Sequence, residues 1–325
     1  MAHNLNMNEE GKANMMYTGQ TPWHKLGTYL GENAVTADEA IVAAGMNWEV
    51  STQPVYSNFA ELVSMREVPD FKAVIRHDTG EVLGIRKNKY TPYQNKDAFK
   101  VLDPFIGLNK AVWHTAGVLG KGERIWVLAK LPGQIEVTKN DVIDKYFLLA
   151  NSHDGSTGIK LMFTPIRVVC QNTLQMALIG GESSIMNVRH TKNHEIKIKQ
   201  ALKIMGLVEK IAEDFETDCK KMYEFKMSDE DIDNYLAEVS NIVGEAKEKT
   251  KLYADKSYIR YKEYIEGGIG TNIQGVKGSL WGCYNAVAES IDHSTRKIKN
   301  ELQYKMFGAG QIIKERAWKA AKKLI

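Results

Sequence analysis

The stretch from Asn151 to Leu174 constrains this chain more than any other. Ser152, His153, Asp154, Ser156, Arg167, Cys170, Asn172 and Thr173 crowd around two apolar runs, Ile159-Lys-Leu-Met-Phe163 and Ile166-Arg-Val-Val169. Both runs have the residue types of strands. Polar groups packed beside buried strands cost roughly 1–3 kcal/mol each unless they are bonded. The cluster must therefore satisfy itself or a ligand, and function is expected here.

The 325-residue length allows one large domain or two smaller ones. A hydrophobic content of 43% with 26% charged residues is that of a soluble globular chain. No apolar run approaches the roughly 20 residues of a membrane span. The polar stretch Met1 to Gln20 lacks the apolar core of a signal peptide. Cys170, Cys219 and Cys283 are far apart, with neither pairing nor metal-ligand spacing. That fits reduced thiols and a cytoplasmic location.

Charge is unevenly spread. Residues 209–248 carry 13 acidic and 5 basic side chains, and residues 296–325 carry 9 basic and 2 acidic ones. A cationic end after an acidic segment suggests a polyanion partner or an electrostatic docking face, possible between subunits of a homo-oligomer. Solvated helix faces are the plainer alternative.

Residues 1–20 read as a loose arm. Thr36, with Glu39 three residues on, predicts a capped helix ended by Gly45. Alternation from Trp48 to Tyr56 predicts a strand, and Phe71–Arg76 and Val82–Ile85 flank a hairpin turn at His77-Asp-Thr-Gly80. A helix is expected over 93–106. Further strands are expected at 111–117, 124–130, 134–137, 145–150 and 159–163. Helical spacing of Cys170, Leu174 and Ala177 predicts a helix over 167–179. From 193 onward the chain reads as helical, with Ser228 capping one helix, a flexible loop at 265–275 and two closing helices. The fold class is thus α+β. A β-rich portion with a curled, mostly antiparallel sheet covers 21–185, and a mainly helical portion with a basic C-terminal segment covers 186–325.

Arg167, Cys170 and Asn172 fall close together in Thr164-Pro-Ile-Arg-Val-Val-Cys-Gln-Asn-Thr173. Arginine offers a planar fork to phosphate, and asparagine can read a base edge. Cys170 could be a thiolate nucleophile with His153 as base and Asp154 beside it, but its apolar flanks favour a buried structural thiol. Asn151-Ser-His-Asp-Gly-Ser156 is a better turn than metal site, because no second ligand set accompanies it. Arg189-His-Thr-Lys-Asn-His194 reads as a phosphate-contacting strip through Arg189 and Lys192, or else as a solvated loop. Arg86-Lys-Asn-Lys-Tyr-Thr-Pro-Tyr93 interleaves cations with aromatics. Arg86, Lys87 and Lys89 are suited to phosphates and Tyr90 and Tyr93 to base stacking. The tyrosines 253, 258, 261 and 264 are instead expected to pack. Glycine runs at 117–122 and 267–270 lack phosphate-loop and Rossmann spacing, so no nucleotide cofactor is expected.

Taken together, Pro22-Trp-His-Lys-Leu-Gly27, Ala44-Gly-Met-Asn-Trp-Glu-Val50, Tyr90-Thr-Pro-Tyr-Gln-Asn95, Ser152-His-Asp-Gly-Ser156, the 164–173 run, Arg189-His-Thr191 and Trp281-Gly-Cys-Tyr-Asn-Ala286 resemble one family. It is the phage- and plasmid-borne domain of unknown function 932, and the resemblance spans nearly the whole chain. It carries no catalytic residues to transfer. It implies a role in the nucleic-acid metabolism of mobile elements. The leading expectation is an ATP-independent protein that binds nucleic acid, in particular single-stranded DNA, and anneals it as a homo-oligomer without a membrane. The alternatives are an enzyme built on Cys170 and His153, or a phage protein that inhibits a host factor.

Overall fold

The computed structural model describes residues 5–19, 25–32, 35–58, 65–107, 111–167, 185–194, 198, 208–242, 249–293, 304–305 and 308–325. Ten strands are described: β1 Met15–Tyr17, β2 Thr28–Tyr29, β3 Val50–Asn58, β4 Met65–Arg76, β5 Val82–Lys87, β6 Val112–Leu119, β7 Arg124–Thr138, β8 Asp141–Ser152, β9 Ile159–Arg167 and β10 Ile185–Val188. The described helices are α1 Ala37–Ala43, α2 Asn95–Gly107, α3 Val208–Glu224, α4 Asp229–Val239, α5 Lys249–Ala254, α6 Lys256–Gly267, α7 Leu280–Asp292 and α8 Ala309–Lys322. The fold is α+β. A seven-stranded sheet has the order β10-β9-β8-β7-β6-β1-β2, and a three-stranded sheet has the order β3-β4-β5. Every pairing in them is antiparallel except β1 with β2.

The central strands follow from their composition. Ile125-Trp-Val-Leu-Ala129 and Tyr146-Phe-Leu-Leu-Ala150 are buried throughout. A continuous apolar run, rather than an alternating one, is what a strand covered on both faces needs. Val127, Phe147 and Leu149 face a core shared with Phe99 of α2 and with Val50, Val74 and Leu83 of the small sheet. Trp126, Leu128 and Leu148 face the opposite way, toward Leu5, Ala13 and Met15. Ile135, Ile143 and Phe163 join the helical core. The runs 124–130 and 134–137, expected as two strands, are one strand whose register shifts between Lys130 and Gln134. Such an irregularity bends a strand without ending it.

The described N-terminal residues, 5–19, are no loose arm. β1 pairs with β6, with Met16 opposite Ala116, and Met16 is fully buried. Leu5 bridges Leu119. Strands of two or three residues are too short to show a period, so sequence reading passes over them.

The capped helix starts are as expected. Thr36 accepts from Glu39 N, and Ser228 accepts from Asp231 N. The predicted loop at 265–275 is partly helix, because α6 continues to Gly267. Its next residues are pinned by the buried Glu289, whose carboxylate accepts from Ile269 N at 2.8 Å and Gly270 N at 3.0 Å. β9 runs through Arg167, so the predicted helix does not start there, and 168–179 lie outside the described residues.

The helical half is built around rings. Phe215 stacks on Trp318 at 5.0 Å, and Tyr284 meets Trp318 edge-on at 5.2 Å. Trp281 Nε1 donates to Asp141 Oδ2 at 2.7 Å and ties α7 to the start of β8. Tyr258 and Tyr261 are buried and Tyr264 is half-buried, as packing tyrosines should be, whereas Tyr253 is 46% exposed and donates to Asp233 Oδ2 at 2.7 Å. Part of the charge asymmetry is met within the chain. Lys322 pairs with Asp218 at 2.5 Å, Lys323 pairs with Glu238, and Arg316 donates to Val239 O at 2.9 Å.

If β1 is part of the sheet, Met16→Ala should lower unfolding stability by about 2–5 kcal/mol in chemical denaturation. A change below about 0.5 kcal/mol, as at an exposed surface position, would return the stretch to an arm.

Candidate nucleic-acid interface

Three turns far apart in sequence meet at one end of the large sheet. The first leaves the end of β5, with Arg86 and Lys87 its last strand residues and Lys89 and Tyr90 beyond it. The second joins β8 to β9 and carries Gly155 to Gly158. The third follows β10 and carries Arg189 to Thr191. Together with Phe71, Ile85 and Asn187 they line an open cleft of about 650 Å³. Thr91 N donates to His190 O at 3.1 Å and holds the first and third turns together.

The β8–β9 turn satisfies itself. Ser152 Oγ donates to Thr157 O at 2.7 Å and accepts from Thr157 N at 3.0 Å. Asp154 Oδ1 accepts from Ser156 N at 2.9 Å and from Ser156 Oγ at 2.6 Å. Such local bonds are the usual work of short polar side chains in turns. Arg124 adds a bond to Ser156 Oγ at 2.9 Å and lies 3.7 Å from the Asp154 carboxylate. Gly155 has φ +61°, and a Cβ there would stand 2.4 Å from Arg86 Nε. A side chain is excluded at 155 by conformation and by the arginine lying across it.

Tyr90 is the fixed aromatic of the cleft. Its hydroxyl donates to His153 O at 3.0 Å, and its ring lies 4.9 Å from His190 at 30°. Burial, with Asp154 nearby, pushes the phenol pKa upward, so it stays a donor at any ordinary pH. His190 is buried, and its pKa falls to about 4 through desolvation and the neighbouring His194. It is therefore neutral at pH 7.

Of the sequence-predicted contacts, the structure brings Arg86, Lys87, Lys89, Tyr90 and Arg189 to the cleft. Among the described residues that line it, none is acidic. Lys192 is exposed in the turn that begins at Arg189 but does not line the cleft. Tyr93 is buried and meets His194 edge-on at 5.4 Å, so it packs rather than stacks on bases. Arg167 pairs with Ile143, at the far end of β8 from Ser152. The distance along β9 from Ile159 is about 27 Å, so Arg167 does not share this cleft. Its side chain lies outside what the structure describes, as do Cys170 and Asn172. Phe71 and Ile85 were missed. Phe71 is 40% exposed and pairs with Lys87 across the hairpin, and the alternation of β4 was the available signal.

His153 does not suit catalysis. It is fully buried, and its Nε2 lies 2.9 Å from Asn95 Oδ1. Asn95 Nδ2 donates to Met46 O at 3.0 Å and Trp48 O at 3.3 Å, which fixes the amide so that its oxygen faces the imidazole. Nε2 must then carry the proton. Desolvation, with His190 adding, lowers its pKa to about 3. So weak and enclosed a base cannot activate a thiol, and Asp154 is spent on its own turn. Arg167 is therefore not in one constellation with the 151–156 turn, because β9 runs between them, and 168–173 lie outside the described residues. Among the described residues no three His, Cys, Asp or Glu side chains are placed to share a metal, and no helix is long and apolar enough to cross a membrane.

A histidine whose folded pKa is below its unfolded value near 6.5 costs stability as pH falls through that gap, because the unfolded chain binds the extra proton. His153, His190 and His114 all have lowered values, near 3 for the first and near 4 for the others. The melting temperature should therefore fall between pH 7 and pH 4. His153→Gln, which keeps a donor toward Asn95, should flatten that fall. An identical pH profile for this variant would contradict the assignment of a buried neutral ring.

A family described as Domain of unknown function (DUF932) matches residues 82–318, most of the chain. That span contains the whole cleft except Phe71. No curated protein and no solved structure matches the chain significantly.

Proposed function

The chain belongs to the DUF932 family, and on that footing we propose that it is an ATP-independent nucleic-acid-binding protein of phage or plasmid type. Single-stranded DNA lies in the cleft, and annealing of strands by a homo-oligomer is the activity proposed. One observation carries this reading. Arg86, Lys87, Lys89 and Arg189 stand around a single open cleft that holds the exposed ring of Phe71 and the clamped ring of Tyr90, with no acidic residue among its described lining. Cations beside aromatic faces are what a flexible polyanion with stackable bases requires. Some cations elsewhere are paired, as at Lys314 with Asp292 and Lys322 with Asp218. Cations left free of acidic neighbours suit an external anion.

The enzyme alternative loses its base at His153, and this reading assigns no chemistry to Cys170. A second reading keeps one specific observation. Tyr56 and Met65 are 55% and 72% exposed near the β3–β4 end of the small sheet, a surface that a protein partner could cover.

Binding to a fluorescent single strand should weaken linearly in log affinity against log salt. Lys89→Gln and Arg189→Gln should each lower that slope by about 0.7 while leaving the melting temperature in place. Folded variants that keep the full slope would remove this cleft from the binding surface.

A further inference from the structure

Among the described residues, two groups in the cleft wall are buried without hydrogen-bond partners. One is Arg86 Nε. The other is His190, where both ring nitrogens lack a partner in bonding geometry, although the Thr91 and Thr157 carbonyls lie near enough to favour its protonation. Buried polar atoms are nearly always paired, and a donor left unpaired is costly. Both residues line the same cleft and flank Tyr90, whose hydroxyl is tied to the backbone of His153. Gly155 leaves space for Arg86 to lie against the turn, where any Cβ would collide with it.

The unmet valences define a ligand. Arginine offers only donors, so Arg86 calls for an acceptor, ideally an anion. A neutral imidazole offers one donor and one acceptor, so His190 calls for a group that has both. A phosphate next to an unpaired nucleobase supplies this set. In a duplex the pairing edges of the bases are already used.

We propose that the recess at Arg86, Tyr90 and His190 is a subsite for one unpaired nucleotide, with Arg86 on its phosphate and His190 on the edge of its base. The proposal rests on the nucleic-acid reading above and adds to it that this site reads bases as well as charge. Tyr90 positions His190 through their ring contact at 4.9 Å. The neutral state of His190 leaves one ring nitrogen an acceptor at physiological pH, and because both nitrogens are buried the nucleotide must part the cleft wall to reach it.

The test uses the full chain with a thymidine strand, an abasic strand of the same length and a duplex at one low salt concentration. The thymidine strand should bind roughly tenfold more tightly than the abasic strand, whose phosphates are the same. The duplex should bind more weakly than the thymidine strand. His190→Leu should bring thymidine-strand affinity close to that of the abasic strand, and His190→Gln, with a donor and an acceptor, should restore part of the difference. Equal affinity of the wild type for the two strands would overturn the subsite while sparing nucleic-acid binding. So would a folded His190→Leu protein that keeps the full preference. Binding of none of the three would overturn both readings. If His190→Leu does not fold, the ring nitrogen resonances of His190 in the wild type decide the matter. They should move with the thymidine strand and not with the abasic one, and resonances that fail to move would contradict the proposal.

Discussion

Strand β8 is the constraint on which the rest of the structure depends. It is buried on both faces over Tyr146–Ala150 and paired along its length with β7 and β9. A period-two pattern buried on both sides admits no slip, because moving one residue would exchange two differently shaped cores. Its ends are fixed by different means. At the start, the Asp141 carboxylate accepts the Trp281 indole and so anchors the helical layer. At the finish, Ser152 closes the turn that forms the floor of the cleft. The helical half and the cleft are thus held in register by one strand, about 40 Å apart along its length if fully extended.

The two halves of the molecule treat charge differently. In the helical half, basic residues of α8 meet acidic residues of α3 and α4, and Lys314 is buried against Asp292 at 2.8 Å. Pairing there turns a segmental imbalance in the sequence into internal docking. Beside the cleft, the Asp154 carboxylate is occupied by Ser156 and Arg124. Arg76 shows the same economy one layer in. It is buried over Trp48 at 4.3 Å and bonded to Asp78, so it supports the small sheet rather than the surface. The positive character of the cleft is therefore local, and it does not reflect a net charge of only +3.

What the sequence disclosed was local. Thr36 with Glu39 and Ser228 with Asp231 announce helix starts because capping acts within four residues. The turn at 151–156 was legible for the same reason, since its bonds join neighbours. The run Arg86–Tyr90 was legible as a surface because cations interleaved with aromatics rarely belong to a core. Its meeting with Arg189 was not legible, because contact across a hundred residues depends on strand order. Arg167 was grouped with His153 by proximity in sequence, yet an extended strand carries residues apart quickly. The role of His153 was also hidden. Only its bond to Asn95 and its enclosure distinguish a structural imidazole from a catalytic one.

The central claim is that one cleft, between the small sheet and the β8–β9 turn, receives the strand. Photo-crosslinking of a halogenated single-stranded oligonucleotide to the intact protein, with the adducts mapped by mass spectrometry, addresses it directly. The account expects adducts at Phe71, Tyr90 or His190, which are the rings at the cleft. Adducts confined to α8 or to the exposed tip of β3 and β4, with none at the cleft, would contradict it.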